Sequence, residues 1–298
     1  ELGGKPGKIK GVSLTPIYPC KCAERLGGVV ADGEGGKWVC NIRKLRGGGR
    51  RPIVYSVGSA GETSFEQAVR ERLRTKAFTF DPFLDDQQAA ALRAKHLLRY
   101  IPIGLGAGKQ LSALRRGAPG KRFATLAQLM GKLNHSHIDV LKIDCERCEE
   151  RLMEDLLNTF GKENPPAEQI LVEIHQIRHV ARTTQVLFPL EDMGYRLFNA
   201  EANPRCNSCY ELSFVHENFL KPKSMFPTPE APATAGDAAG AGDAAADTAA
   251  DTAEAAADAA ADAVAAAAAA DSSAEDPAGD AASAGDAASA GDAGGESQ

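Results

Sequence analysis

The chain has 298 residues, and its acidic net charge of −6 comes from its C-terminal part. Residues 223–298 contain one basic and fifteen acidic residues, whereas the residues before them contain 33 basic and 25 acidic ones. Seven cysteines are too few for a miniprotein built from disulfides, and no apolar run is long enough to span a bilayer. The body of the chain is mildly basic, which suits an anionic substrate or partner without requiring one.

Residues 1–51 are rich in glycine and basic residues, and their apolar periodicity is weak. The only tryptophan, Trp38, lies in this segment. We interpret residues 1–51 as an N-terminal extension that packs on the domain that follows. Because the chain begins at Glu1 rather than Met, the sequence leaves open whether the natural precursor has an N-terminal signal or anchor.

Residues 52–222 alternate apolar runs with amphipathic stretches, which is the pattern of βαβ units. The predicted strands cover 53–57, 77–80, 98–103, 138–144, 169–174, 195–198 and 210–215. The first predicted helix begins after Thr63, with Thr63 as its N-cap and Glu66 completing a capping box. Further predicted helices cover 87–97, 123–133, 149–159 and 186–193. Only a turn at 203–205 separates the last two strands, so they should pair antiparallel. The sequence predicts an α/β fold of the Rossmann-like kind, with a mostly parallel seven-stranded sheet, an antiparallel last strand and helices on both faces.

Residues 223–298 consist almost entirely of Ala, Asp, Gly, Thr, Ser and Pro, with near-repeats of Ala-Gly-Asp-Ala-Ala. After Phe226 there is no aromatic residue, and Val264 is the only large aliphatic one. Such a composition buries too little to offset the entropy of ordering, so we predict a disordered acidic tail. An alanine-rich helix between Thr252 and Ala270 is compatible with the sequence, but we expect it to have no apolar face to dock.

Ligands of open α/β sheets bind beyond the carboxyl ends of the strands. The first strand ends in Ser56-Val57-Gly58-Ser59-Ala60-Gly61-Glu62, whose glycines allow close backbone approach before a helix N-terminus. Asp81 ends the second strand, about 20 residues after the glycine loop, where an acid grips a ribose diol. We predict that Ser56, Gly58, Gly61, Glu62 and Asp81 bind a nucleoside cofactor. The alternative for Asp81 is a helix N-cap before Pro82.

A second group of polar residues follows the fourth and fifth strands, at the same edge of the sheet. Asp144 and Glu146 follow the fourth strand, and Glu173 and His175 end the fifth. These side chains could accept a proton from a substrate hydroxyl, hold a divalent metal or form structural ion pairs. We predict Asp144, Glu146, Glu173 and His175 as catalytic candidates and assign no metal.

The stretch from His137 to Glu146 resembles the strand-four motif of FkbM-type methyltransferases and of the eukaryotic methyltransferase-like proteins related to them. Further motifs of that group occur in the same order, at Asp32–Cys40, Val54–Phe65, Phe80–Pro82, Leu171–His175 and Cys209–Phe214. The resemblance covers Cys20 to His216 and implies a class I methyltransferase with S-adenosylmethionine as its cofactor. It implies that Gly58 and Asp81 contact the cofactor and that Asp144, Glu146 and His175 face the substrate. Our leading hypothesis is methyl transfer to an oxygen, with a nitrogen as the alternative acceptor atom.

One departure from the family pattern leaves alternatives open. Arg147 stands where the family usually has a glycine, so a catalytically inactive methyltransferase-like binding module is the second reading. A dinucleotide-dependent oxidoreductase is the third, although the third glycine of its fingerprint is missing. The acceptor, whether a small molecule, a glycan or a peptide, is not identified, and no nucleic-acid motif is indicated.

The cysteines allow more than one chemistry. Cys145-x-x-Cys148 and Cys206-x-x-Cys209 together could hold zinc if the two motifs met in space. We favour disulfides, with Cys40 bonded to Cys20 or Cys22 and Cys206 bonded to Cys209, which slightly favours the lumen of the secretory pathway. Free thiols in a cytosolic protein are the remaining alternative.

Overall fold

The structure is a computed structural model, and it describes residues 8–9, 12–28, 35–47, 50–146, 148–176, 179–203, 205–206, 208–220 and 254–268. Within these residues, no helix combines the length and the apolar character needed to cross a bilayer.

A seven-stranded sheet forms the centre of the molecule, with the strand order β12-β13-β11-β10-β5-β6-β7. Its strands are β5 (Val54–Val57), β6 (Ala77–Phe80), β7 (Leu98–Ile101), β10 (Ile138–Ile143), β11 (Ala167–Ile174), β12 (Tyr195–Ala202) and β13 (Tyr210–His216). Strand β13 is antiparallel to both of its neighbours, and the pairs from β11 to β7 are parallel. The predicted mostly parallel sheet with an antiparallel last strand is therefore confirmed.

The order of the strands reverses at the centre of this sheet. From β5 the chain moves outward to β6 and β7 and then returns to β10, on the other side of β5. In register, Val54 lies beside Val140 and Val57 beside Ile143. The carboxyl ends of β5 and β10 therefore flank the switch point at which an open α/β sheet opens its ligand crevice.

Helices cover both faces of the sheet. They are α1 (Ile42–Arg46), α2 (Ser64–Leu73), α3 (Asp86–Ala94), α4 (Leu111–Gly117), α5 (Leu126–Lys132), α6 (Glu149–Phe160), α7 (Val180–Asp192) and α8 (Glu217–Leu220). Small two-stranded sheets pair β1 (Lys8–Ile9) with β2 (Val12–Ser13), β3 (Ala23–Leu26) with β4 (Lys37–Cys40), and β8 (Gly104–Leu105) with β9 (Phe123–Ala124). Helix α4 was not predicted, and the predicted helix at 123–133 is divided into β9 and α5.

The predicted capping box at the start of α2 is wrong, although the helix begins where expected. Thr63 is the N-cap residue but makes no side-chain capping hydrogen bond. The Glu66 side chain turns inward instead, where it accepts a hydrogen bond from Ser56. The capping boxes of this fold open α3, with Asp85 and Gln88, and α5, with Thr125 and Gln128.

Alternation along the strands divides most of the core into two large clusters, one on each face of the sheet, and a smaller third cluster packs α3 against β7. Tyr55 and Leu141 belong to the larger cluster, whereas Val54, Val140 and Leu171 belong to the other. A period of two places successive side chains on opposite faces. These strands are buried on both faces, which explains why apolar residues occupy successive positions along most of their length.

Strands β3 and β4 form a hairpin, called here the N-terminal hairpin, that shares the second cluster with the domain. Leu26 and Val39 are buried there with Phe65 of α2. A disulfide joins Cys20 to Cys40 at the end of β4. The extension is thus part of the core of the domain, which its weak periodicity did not reveal.

The structure differs from the expectation that the tail has no apolar face to dock. A helix at 254–268, called here the tail helix, buries Ala261, Ala265 and Ala268 to 2%, 8% and 3% exposure. Asp258 pairs with Lys76 at 2.6 Å and with Arg99 at 2.7 Å. Alanine methyl groups at helical spacing supply the apolar stripe, and the acids on its flank match the basic body. The rest of the predicted disordered tail lies outside the described residues.

Candidate active site

The glycine loop after β5 is shaped by close packing against the end of β10. Gly58, Ala60 and Gly61 have φ angles of 74°, 48° and 85°. A β-carbon on Gly58 would overlap the carbonyl oxygen of Asp144, so this position requires glycine. The Lys142 ammonium donates to the carbonyl oxygen of Gly58 at 2.8 Å, and this hydrogen bond connects the loop to β10.

Asp81 holds this loop from the neighbouring strand. Its Oδ2 accepts hydrogen bonds from the amides of Ser59 at 3.0 Å and Ala60 at 2.8 Å, and its Oδ1 accepts one from Phe83 at 2.9 Å. The residue is 3% exposed. The structure thus gives Asp81 a role in shaping the loop, and its contact with a ribose stays a prediction.

The other predicted cofactor residues divide into buried and open positions. Ser56 is fully buried and donates to Glu66, so in this structure it lies inside the sheet, away from the open edge. Glu62 is exposed, and its carboxylate accepts from the amide of Ser64 at 2.7 Å. A side-chain amide at 3.8 Å is the nearest described group to a β-carbon on Gly61, so the loop leaves space at this point. The left-handed loop and this space fit a nucleoside cofactor at the switch point, whereas Asp81 is buried and already accepts three backbone hydrogen bonds.

Three carboxylates beside the loop surround one buried ammonium group. The Nζ atom of Lys37 lies 2.5 Å from Glu211, 3.3 Å from Asp144 and 3.8 Å from Glu173. The Lys37 side chain is 1% exposed. Asn203 donates to the free side of Glu173 at 2.8 Å. Lysine is rarely buried without such partners, because an unpaired buried charge is costly.

The charges in this cluster push two neighbouring carboxyl groups in opposite directions. Burial and the charges of Glu211 and Asp144 raise the pKa of Glu173 to about 8, and Lys37 opposes this. Burial also acts to raise the pKa of Asp144, but Lys37 and Lys142 outweigh it and lower that pKa below its ordinary value. The pKa of Lys37 lies well above its usual range, because the three carboxylates outweigh its burial. At neutral pH the cluster therefore contains an ionised Asp144, a charged Lys37 and a Glu173 that binds its proton in most molecules and is ionised in the rest.

His175 forms a second polar group at the same edge. Its Nδ1 atom lies 2.5 Å from Oε1 of the buried Glu149, and its Nε2 atom lies 3.5 Å from Glu146. Burial lowers the pKa of His175, but the hydrogen bond and charge of Glu149 raise it to about 9 overall. The Glu146 side chain is 85% exposed, so it stands at the mouth of the site.

The structure thus brings all four predicted catalytic candidates to one edge and adds partners that the sequence analysis missed. Lys37 was missed because it lies far from β10 and β11 in the chain, within a segment of weak periodicity. Glu211 was missed because it reads as one position of an apolar strand. Glu149 belongs to the family pattern after the fourth strand and to the start of a predicted helix, and neither indicates its contact with His175. The spacing of charged residues inside apolar runs is the signal that could have identified Lys37 and Glu211.

The cysteines at this edge form disulfides, Cys145 with Cys148 and Cys206 with Cys209, and a third disulfide joins Cys20 to Cys40. The pairing of Cys206 with Cys209 matches the expectation, and Cys40 pairs with Cys20 rather than Cys22. A Cys145–Cys148 bond was not predicted.

Metal-ligand geometry at this edge involves the same groups. The ligand atoms of Glu173, His175 and Cys209 lie within 4.8 Å of one another, as do those of Asp144, Glu173 and Glu211. The Cys209 sulfur is already bonded, and Lys37 supplies the cation of the other group, so we assign no metal ligand. Arg147, which departs from the family pattern, lies outside the described residues.

Comparisons with solved structures give distant similarities to several proteins. A precorrin-6y C5,15-methyltransferase from Geobacter metallireducens is 12% identical, with a TM-score of 0.32 over 59% of this chain and 84% of that one. The Streptococcus pneumoniae protein Sp1610, a putative tRNA (m1A22) methyltransferase in complex with S-adenosyl-L-methionine, is 14% identical, with a TM-score of 0.31 over 59% and 71%. A Methanococcus jannaschii fibrillarin pre-rRNA processing protein is 10% identical, with a TM-score of 0.36 over 73% and 99%. The comparison with curated proteins gives no match.

A family model matches the part of the chain that contains the central sheet and the candidate site. Residues 11–216 match Methyltransf_22, a methyltransferase domain. This range contains the N-terminal hairpin, the glycine loop and the whole carboxylate cluster. The chain therefore belongs to the methyltransferase-domain family.

Proposed function

We propose that this protein transfers the methyl group of S-adenosylmethionine to an oxygen atom of its acceptor, with Glu173 as the general base. The observation that carries the proposal is the placement of Glu173 at the carboxyl edge of β11, beside the switch point and within reach of Lys37. Within the methyltransferase family, the motifs from His137 to Glu146 and from Leu171 to His175 favour a relationship to the FkbM-type members.

The chemistry needs one proton acceptor. As the acceptor oxygen forms its bond to the methyl carbon, the bond from that carbon to sulfur breaks, and the sulfonium becomes a neutral thioether. The hydroxyl proton passes to Glu173. A base is most effective when its pKa lies near the working pH, and the pKa of about 8 for Glu173 meets this condition.

The other candidates take different roles. His175 has a pKa of about 9, so at neutral pH it holds its proton and acts as a hydrogen-bond donor rather than a base. Asp144 stays ionised and paired with Lys37, which orients the cluster. Glu146 stands exposed at the mouth, where it meets the acceptor first. Holding the acceptor oxygen in line with the methyl group supplies much of the rate in such a site.

A second candidate function has one observation in its favour. Each carboxylate oxygen of Asp81 already accepts at least one hydrogen bond from a backbone amide, and the residue is 3% exposed. A methyltransferase-like domain that binds a partner without catalysis fits this arrangement. We do not propose the oxidoreductase alternative, because the chain belongs to the methyltransferase family.

Calorimetric titration of the full chain with S-adenosylhomocysteine separates these two functions. We expect binding by the natural chain, a loss of at least tenfold in Asp81→Ala, and no change in Glu71→Ala, an exposed acid on α2. No binding by the natural chain would leave the non-catalytic domain as the better account.

The role of the base is tested by methyl transfer from isotopically labelled S-adenosylmethionine to panels of polyols, glycans and peptides. Once an acceptor is found, Glu173→Gln should lower kcat by about 10²- to 10⁴-fold, the usual contribution of a general base, with unchanged cofactor affinity. Full activity in Glu173→Gln would remove Glu173 from the mechanism.

We further propose an oxidising compartment for this protein, because three disulfides join six of its seven cysteines. Thiol labelling of the protein from its native source tests this. Modification of Cys22 alone is expected, and modification of all seven cysteines would contradict it.

A further inference from the structure

The N-terminal hairpin delivers a single charged side chain into the catalytic edge. Lys37 opens β4, and its ammonium reaches carboxylates that follow or lie on three strands of the sheet: Asp144 after β10, Glu173 on β11 and Glu211 on β13. Strand β4 is not part of that sheet. The cation therefore comes from an element outside the central sheet.

The hairpin is fixed in place by partners on separate elements. The Gln169 side chain of β11 accepts from the Cys40 amide and donates to the Cys40 carbonyl oxygen, both at 2.7 Å. Trp38 donates to Glu201 of β12 at 2.7 Å. The amide of Gly28 donates to Ser64 at the start of α2 at 2.9 Å. Such fixation leaves the Lys37 ammonium little freedom to leave its three carboxylates.

We infer that Lys37 is the positioning residue of this site, which holds the carboxylate of Glu173 in place and sets its proton affinity; the inference rests on the proposed role of Glu173 as base. Stability alone does not explain a buried lysine at this position, because buried ion pairs rarely stabilise a fold more than apolar packing does. The effect of Lys37 on the position and the pKa of the neighbouring carboxylates accounts for its presence at this edge. One Glu211 oxygen, Oε2, has no hydrogen-bond partner among the described residues, so this cluster is not arranged for maximal pairing.

The charged groups that surround Glu173 act on it with opposite signs. They are Glu211, Asp144, Lys37 and His175. Lys37 favours the ionised form of Glu173, whereas Glu211 and Asp144 oppose it. Removing Lys37 should therefore raise the pKa of Glu173, and removing the charge of Glu211 should lower it.

Carbon-13 NMR titration of glutamate carboxyl groups in the full chain measures this directly. The Glu173 signal is assigned by its loss in Glu173→Gln. We expect its midpoint to move to higher pH in Lys37→Met, to stay near the natural value in Lys37→Arg, and to move to lower pH in Glu211→Gln. Lys76→Met, which removes a lysine paired with the tail helix, is the matched control and should leave the midpoint unchanged.

Each outcome decides the inference. A midpoint that stays unchanged in folded Lys37→Met overturns it. If Lys37→Met does not fold, Lys37→Gln, which also removes the positive charge, carries the test, and an unchanged midpoint there overturns the inference equally. The titration needs neither cofactor nor acceptor. Opposite shifts in a chain that binds no S-adenosylhomocysteine would therefore retain the Lys37 effect and remove the proposed function. Normal binding with no shifts would remove only the role of Lys37.

Discussion

The carbonyl oxygen of Asp144 occupies the position that a β-carbon on Gly58 would need. The glycine loop and the end of β10 are therefore in backbone contact at the switch point, without an intervening side chain. Gly58 also has a φ of 74°, which other residues adopt only with strain. This contact brings the proposed cofactor loop and the proposed acceptor-side carboxylates into one site.

Substituting Gly58 with alanine should force the glycine loop away from the end of β10. We expect Gly58→Ala to lower the free energy of unfolding by about 1–3 kcal/mol, the usual cost of backbone strain, and to weaken S-adenosylhomocysteine binding at least tenfold. Denaturant unfolding and calorimetry measure the two effects. Gly131→Ala is the control: Gly131 lies in α5 with open space around a β-carbon, and alanine there should stabilise the helix by about 0.5–1 kcal/mol. Equal behaviour of the two variants would show that the contact is unimportant.

His135 makes the stability of the fold depend on pH. The Tyr55 hydroxyl lies 2.7 Å from its Nδ1 atom. Burial, with the charges of His137 and Arg99, lowers the pKa of His135 to about 4, against about 6.5 in an unfolded chain. The unfolded chain thus binds the proton more readily, so the stability contributed by neutral His135 is complete above about pH 6.5 and is lost as the pH falls towards 4.

Unfolding free energies measured between pH 7 and pH 4.5 test this dependence. We expect a steeper fall for the natural chain than for His135→Gln, because glutamine has no proton to bind. The exposed His96 supplies the control, and His96→Gln should follow the natural chain. Identical slopes for all three proteins would contradict the lowered pKa of His135.

The tail helix should contribute measurably to stability through its buried alanines. Ala261 is 2% exposed, whereas Ala263, two residues later, faces solvent. Ala261→Asp would place a carboxylate against the core, at a cost of about 1–3 kcal/mol for an unpaired buried polar group. Ala263→Asp adds the same charge to the open face and should be nearly neutral.

Hydrogen exchange of residues 254–268 reports the docking of this helix directly. We expect fast exchange in Ala261→Asp and natural protection in Ala263→Asp. Equal protection in both variants would mean that the helix does not depend on its apolar stripe.

The sequence predicted the central sheet well because each strand carries its own signal. Runs such as 138–143 and 169–174 are mainly apolar and bounded by polar residues, so their type and order follow from local pattern. The glycine loop and the strand-end acids follow from the same pattern, because parallel strands bring their carboxyl ends to one edge. These local signals predicted the edge but not the partners of each side chain.

Contacts between distant segments were the part that could not be predicted. Lys37 meets Glu211 across 174 residues, and nothing local in β4 or β13 announces the pair. Tail alanines dock because the body offers Lys76 and Arg99 beside an apolar surface, a match that composition alone does not contain. Asp81 was placed correctly at its strand end, yet its hydrogen bonds to Ser59 and Ala60 depend on the conformation of the loop.

The Cys20–Cys40 disulfide should link the stability of the N-terminal hairpin to the chemistry of the site. The bond closes a segment of 20 residues and ends on β4, three positions after Lys37. Loss of such a constraint costs about 3 kcal/mol in the chain-entropy model. We expect the double variant Cys20→Ser with Cys40→Ser to lose stability of this order. Because the hairpin is then less firmly held, Lys37 should spend less time beside Glu173, and the carboxyl titration of Glu173 should move to higher pH. Cys22→Ser removes the exposed free cysteine and should change neither quantity. A destabilised double variant with an unchanged Glu173 titration would show that Gln169 and Trp38 hold the hairpin without the disulfide.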